Sequence, residues 1–298
     1  MTPDGTLTFD KEMLEHYARF VLNRHEVWKK RQAGEEAPWT QDQIVATRKF
    51  TNVFRVLDYG SQFLVRELTC HDPVDYLARC IFYRITNSPR TWLEMKDALG
   101  DYPTKQNFYK RPDELFRILD EYRKLGNTVF SGAYVIIPAP GTNGDKVRDA
   151  ISLTRHFLNE GIIDFMTART QAERFAALRS TPGLGPFLSM QILTDWGYAQ
   201  PINRENEFIV AGPGARNGAR HLSPDRPEDV IRKLSAGWDE DDSVRLNGHP
   251  LGLMNVQNTL CEFSKLVRYM GEPPQHRTPY RPAHPGPQPE PVLPDWMQ

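Results

Sequence analysis

Cysteine is scarce in this chain: Cys70, Cys80 and Cys261 are the three in 298 residues, and they form no CxxC or Cys/His spacing. That argues against a disulfide framework or a structural zinc site, and it fits a reducing cytoplasm. An excess of charge of one sign is also lacking. The 37 Lys+Arg are matched by 38 Asp+Glu, for a net charge of −1. A uniformly basic coat for nucleic acid is thereby excluded, and only a local basic face remains open. No run reaches the ~18 apolar residues of a membrane helix. The acidic, polar start MTPDGTLTFDKEM does not read as a signal peptide. No Gly-Lys-Ser/Thr occurs, and the stretch Gly141 to Lys146 (GTNGDK) separates its Gly and Lys. A P-loop, and with it an ATP-binding engine, is absent from these residues. Neither internal repeats nor βαβ alternation is visible, so a Rossmann-type sheet is not expected.

What is present is mostly helical pattern, with 39% apolar residues to build a core. Val53, Phe54, Leu57, Leu64 and Leu68 recur at helical steps, which predicts an amphipathic helix over 48–68. Asp72-Pro73 reads as an N-cap and first-turn proline, followed by an apolar face of Val74, Leu77, Ala78, Ile81, Phe82 and Ile85. Pro112-Asp113-Glu114 opens another helix that buries Leu115, Ile118, Leu119, Tyr122 and Leu125, with Gly126 as its C-cap glycine. Further helices are expected near 12–30, 145–160, 170–179 and 250–270. Thr128 to Pro138 is rich in Val, Ile and aromatics, and both a short strand and a buried turn fit it.

The end differs in kind. Nine of the 24 prolines lie beyond Gly271. Proline lacks an N–H and fixes φ, so 272–298 reads as a disordered, polyproline-like tail beside a body of 1–271. Trp296 is the residue expected to pack on that body, and a PxxP ligand is the alternative use.

The stretch Phe175 to Gly218 carries the strongest signal. Thr181-Pro182-Gly183-Leu184-Gly185 separates two apolar helices, a helix-hairpin-helix pattern over about 172–196. Its glycines let backbone N–H groups approach a phosphate at a helix N-terminus, a grip on the DNA backbone that reads no sequence. An ordinary αα-corner is the competing reading. Thr181, Gly183, Leu184 and Gly185 are thus the candidate DNA contacts.

Other polar clusters follow. Arg48, Asn52 and Arg55 stand at i, i+4 and i+7, so a helix would align them on one cationic face. Phe82 to Asn87 (FYRITN) holds Arg84 and Asn87. Gly212 to Arg220 (GPGARNGAR) reads as a loop holding phosphate through Arg216 and Arg220. Asn255 to Lys265 (NVQNTLCEFSK) places Gln257, Asn258, Glu262 and Lys265 at helical spacing. For the Arg48, FYRITN and Asn255–Lys265 clusters a solvated helix face is the favoured reading taken singly, and for GPGARNG the alternative is a flexible connection.

Around the hairpin, the sequence resembles the DNA glycosylase superfamily, in which a catalytic carboxylate follows about twenty residues on. Here that count reaches Glu205, with Glu207 as the neighbouring alternative; the superfamily usually has Asp. Taken in order, RKFTNVFRVLD, FYRITN, PGLG, GPGARNG and NVQNTLCEFSK resemble one family, over about residues 15 to 270. It is the α-glutamyl/putrescinyl thymine pyrophosphorylases, or amino acid:DNA transferases, with relatives in the helical domain of 5-hydroxymethyluracil DNA kinases. The last motif departs from the family's, which often has Asp at the positions of Asn255 and Ser264 and Tyr at that of Leu266.

The resemblance implies a mainly all-α, glycosylase-like fold and chemistry on double-stranded DNA with modified thymine, in an infected bacterial cytoplasm. A partner 5-hydroxymethyluracil DNA kinase would pyrophosphorylate the base. This chain would then let a free amino acid or a polyamine such as putrescine displace pyrophosphate from the C5 methylene, with no cofactor. The base must leave the stack for this. Arginines must hold the leaving group: Arg48, Arg55, Arg84, Arg216 and Arg220 are the candidates. The attacking amine must lose a proton, for which Glu205 is the candidate base. Phe50, Phe54, Tyr83 and Trp196 are the aromatics available to the flipped base, Phe54 reading as core. Direct displacement and a methide intermediate both fit. The abundance of arginine leans toward an amino acid. A base-excising glycosylase and a non-catalytic DNA-binding module are the rival functions.

Overall fold

The structure is a computed structural model that describes residues 7–132, 144–271 and 288–298. The helices, in chain order, are α1 (Lys11–Gln32), α2 (Gln43–Thr47), α3 (Tyr59–Phe63), α4 (Pro73–Thr86), α5 (Pro89–Leu99), α6 (Lys105–Lys110), α7 (Pro112–Lys124), α8 (Lys146–Glu160), α9 (Ile162–Thr167), α10 (Gln171–Arg179), α11 (Pro186–Gly197), α12 (Pro213–Leu222), α13 (Pro227–Glu240) and α14 (Leu253–Gly271). Among the described residues there is no strand, only an isolated bridge between Leu246 and His249. The all-α expectation therefore holds. Most of the alternative at Thr128 to Pro138 lies outside the described residues, as do 272–287 of the proline-rich tail.

The chain forms two compact units. One comprises the described residues up to Asp58, those from Ile209 to Leu293, and Met297–Gln298; the other runs from Tyr59 to Phe208 and includes Pro294–Trp296.

In the second unit α4 is the central element. Leu77, Cys80, Ile81, Phe82 and Tyr83 are all fully enclosed, and from Tyr76 to Thr86 every residue of this helix is buried, as in a core helix. Its start is fixed as the sequence implies: Asp72 Oδ1 accepts from the N–H of Val74 (2.9 Å) and Asp75 (3.0 Å), with Pro73 in the first turn. Phe82 meets Trp92 and Phe108 edge-on at 5.9 and 5.3 Å. The buried Arg79 satisfies three carbonyls, of Leu68, Tyr102 and Pro103. α7 ends as expected, with Gly126 at φ +87° just past Leu125. Leu125 itself is 80% exposed rather than buried, because it lies beyond the last helical turn.

In the first unit α1, α12 and α14 pack together. α12 is the main departure from the sequence reading, since GPGARNG is helix and not loop. Gly214 and Gly218, four apart, turn one bare face to α14. A Cβ on Gly214 would overlap Cys261 Sγ, and one on Gly218 would overlap the Leu260 carbonyl. These glycines serve close approach of two helix backbones rather than flexibility.

At the described C-terminal end, Asp295–Met297 form one 3₁₀ turn. Trp296 Nε1 donates to the Gly197 carbonyl at 3.2 Å, within the second unit.

Candidate functional site

The predicted helix over 48–68 does not form. Arg48 is extended (φ −115°, ψ 151°), residues 49–54 are irregular, and Arg55–Leu57 make a 3₁₀ turn. α3 and a π-helical turn over Leu64–Leu68 then follow in the other unit. The apolar stripe itself is buried as expected, from Val53 to Leu68. The reason lies in where the backbone hydrogen bonds go. The Thr51 N–H donates to Glu262 Oε2 (3.1 Å), that of Asn52 to Asp58 Oδ1 (2.8 Å) and that of Arg55 to Asn255 Oδ1 (2.9 Å). Asn258 Nδ2 donates to the Asn52 carbonyl (2.8 Å), and Arg24 Nε to that of Thr51 (2.9 Å). Side chains of α1, of α14 and of Asp58 thus take the groups that a helix would have paired internally. Arg48, Asn52 and Arg55 consequently share no helical face.

Asn52 and Arg55 nevertheless come together with residues from far along the chain. Arg24 Nη2 donates to Asn52 Oδ1 at 2.7 Å, and Asn52 Nδ2 to the Leu57 carbonyl at 2.7 Å. Glu262 pairs with Lys265 Nζ at 2.7 Å. The first and last sequence motifs, some two hundred residues apart, therefore close into one polar cluster within the first unit. It contains Arg24, Asn52, Arg55, Asp58, Asn255, Asn258, Glu262 and Lys265. Arg24, Arg55, Asn255 and Glu262 are buried there. So much ionisable chemistry in a packed site is uncommon in a purely structural core.

Asp58 has the most altered chemistry. Burial raises its carboxyl pKa from 3.8 to about 7, only partly offset by the Asn52 N–H and by Arg55 and Arg24. At neutral pH it accepts a proton readily, as a general base must. Arg55, Arg24 and Glu262 all act electrostatically on Asp58, and Glu262 is itself paired with Lys265. Asp58 and Arg24 were missed as site residues. Asp58 ends the RKFTNVFRVLD motif, which was the available signal; Arg24 sits inside α1 and gives none.

The remaining candidates lie in other settings. Arg48 stacks on Tyr269 at 4.9 Å. Arg216 and Arg220 are exposed on α12, so they belong to a helix surface and not to a phosphate loop. Arg84 is not a free cation. It is 3% exposed and forms a two-point pair with Asp195, which is fully buried; Nη2 to Oδ1 is 2.8 Å. Asn87 ends α4 at φ 45° and donates to Ser131 Oγ at 2.9 Å. Tyr83 is core, its hydroxyl donating to the Gly60 carbonyl at 2.9 Å.

α10 and α11 flank a tight turn. Gly183 has φ +97°, Thr181 and Leu184 are buried, and the Leu184 N–H donates to the Thr181 carbonyl at 3.1 Å. Gly183 is exposed and Gly185 half-buried, and no side chain caps α11. The turn thus presents glycine backbone beside an uncapped helix N-terminus, the arrangement that anions favour.

Glu205 lines a cavity of about 200 Å³ with Arg174, Trp196, Phe208 and Trp296. Glu207 lies outside it, paired with Arg204 at 2.6 Å. The cavity draws on the C-terminal half of α11, from Met190 to Gly197. At 1.5 Å per residue these positions lie about 8 to 18 Å along the helix from Gly185.

A family model described as "5-hmdU DNA kinase, helical domain" matches residues 11–275. The chain is also similar to a 5-hmdU DNA kinase of Bacillus phage SP10, at 22% identity over 254 residues, 75% of this chain and 39% of the relative. It therefore spans about two fifths of that relative's length. No solved structure matches.

Proposed function

As the chain belongs to the family of the 5-hmdU DNA kinase helical domain, we propose that it acts in the modification of 5-hydroxymethyluracil in DNA. The reaction is transfer of an amine, an amino acid in preference to a polyamine, onto the C5 methylene of the pyrophosphorylated base. The observation that carries this reading is the cluster joining residues 51–58 to α14. It offers cations for a leaving anion and a carboxyl poised to take a proton.

In the reaction, the amine lone pair forms the new C–N bond at the methylene carbon. The C–O bond to pyrophosphate breaks, and its electron pair leaves with the pyrophosphate oxygen. The proton shed by the resulting ammonium passes to Asp58, whose pKa of about 7 suits this exchange. Arg24, Arg55 and Lys265 stabilise the departing charge, while Asn52 and Asn255 hold the segment in place. Asp58 is taken as the base in place of the Glu205 expected from the sequence, on the strength of its raised pKa and its place in the cluster. The turn Thr181 to Gly185 grips DNA phosphate through backbone groups.

Incubation with DNA bearing pyrophosphorylated 5-hydroxymethyluracil and a mixture of amino acids and polyamines tests this. Digestion to nucleosides and mass analysis should show a thymidine derivative heavier by one amine. Abasic sites or free base would instead mark a glycosylase. Unchanged substrate that still binds would mark a binding module.

A further inference from the structure

The first unit contains a second feature beside the polar cluster. A cavity of about 310 Å³ lies between α1 and the segment 37–50, lined by Arg24, Arg31 and Arg48 and walled by Trp39 and Phe50. No carboxylate lines it. Arg31 and Arg48 form no ion pair among the described residues, and each is braced on an aromatic ring. Arg31 lies over Trp39 at 5.3 Å and Arg48 over Tyr269 at 4.9 Å. Trp39 is itself pinned, its Nε1 donating to the Glu35 carbonyl at 2.7 Å and its own carbonyl accepting from Lys30 Nζ at 3.3 Å.

Arg31 and Arg48 line one concavity together with the buried Arg24 and no carboxylate, so positive charge gathers there and an anion is favoured. Guanidinium forks match phosphoryl oxygens in pairs, and holding them on ring faces fixes their direction before binding. The volume is at the lower end of small-ligand sites, room for a headgroup and not for a large cofactor. A phosphodiester backbone, by contrast, is followed along an open groove.

We propose that this cavity binds a diphosphate group, the pyrophosphate carried by the substrate base and then released. The inference rests on the transfer reading above. Arg24 connects the two features: it lines the cavity while its Nε and Nη2 hold Thr51 and Asn52 of the cluster. The diphosphate is thereby held next to the carboxyl that takes the amine's proton. Aromatic Phe50 is shared in the same way, lining the cavity and lying under Lys265 at 5.6 Å.

The test uses inorganic pyrophosphate and the full chain without DNA, read by calorimetry and by tryptophan fluorescence. Pyrophosphate should bind at least tenfold more tightly than orthophosphate. Arg31→Gln and Arg48→Gln, both at half-exposed positions, should each weaken it about tenfold while leaving the thermal midpoint near that of the parent. Trp39→Phe should remove the fluorescence response. No pyrophosphate binding, or binding indifferent to both arginines, overturns the proposal even if amine transfer is observed. Displacement of pyrophosphate by unmodified duplex DNA with the same arginine dependence would make this a backbone site and also overturn it. Arginine-dependent pyrophosphate binding without amine transfer would uphold the site and defeat the transfer reading.

Discussion

Arg84 and Asp195 illustrate how far a residue's role depends on a partner that sequence spacing does not reveal. Arg84 stands in FYRITN, which reads as a polar surface patch; Asp195 is 111 positions away on α11. The two side chains are nearly sealed from water, so each charge depends on the other. Removing one leaves the other buried and unpaired. Asp195→Ala should therefore lower stability by about 3–5 kcal/mol, read from the denaturant midpoint. A loss below about 1 kcal/mol would mean that water reaches Arg84. Asp58 is the opposite case at the same scale. Its identity was visible in a motif, but its raised pKa comes from packing and could not be.

At the scale of elements, hydrophobic periodicity gave α1, α4, α7, α8, α10, α11 and α14 close to their observed spans. It failed where polar side chains from elsewhere compete for backbone groups. In 50–58 the apolar spacing is right and the helix is absent, because Arg24, Asn255, Asn258 and Glu262 hold the chain in an irregular path. It failed again in α12, whose glycines suggested a loop. Gly usually weakens a helix by roughly 1 kcal/mol relative to Ala. At Gly218 the ranking should invert, because a methyl group there would strike the Leu260 carbonyl. Gly218→Ala should destabilise the protein by about 1–3 kcal/mol, the range for overpacking. A stabilised Gly218→Ala would show that α12 and α14 do not meet as described.

At the scale of the whole chain, helical class was legible because it is written in local pattern. The division into two compact units was not, since the first unit is assembled from both ends of the sequence. The candidate site was legible in part. Its motifs, RKFTNVFRVLD and NVQNTLCEFSK, were singled out in the right order, but only folding brings them into one cluster. The acid placed by counting from the hairpin, Glu205, lines a cavity in the other unit. In the proposed reaction the chemistry belongs to the first unit and the grip on the DNA backbone to the turn in the second.

The measurement that tests this assignment most directly is the single-turnover rate of amine transfer against pH, for the parent, Asp58→Asn and Glu205→Gln. Asn at position 58 keeps an oxygen for the Asn52 N–H but takes no proton. A carboxyl with a raised pKa acts as a base only once ionised, so the parent rate should climb with pH and level off above about 7. Asp58→Asn should lose at least a hundredfold and the inflection with it, within the ~10²–10⁴ range of general-base catalysis. Glu205→Gln should retain both the rate and the inflection. Loss of the rate in Glu205→Gln with retention in Asp58→Asn would place the chemistry in the other unit and contradict the account.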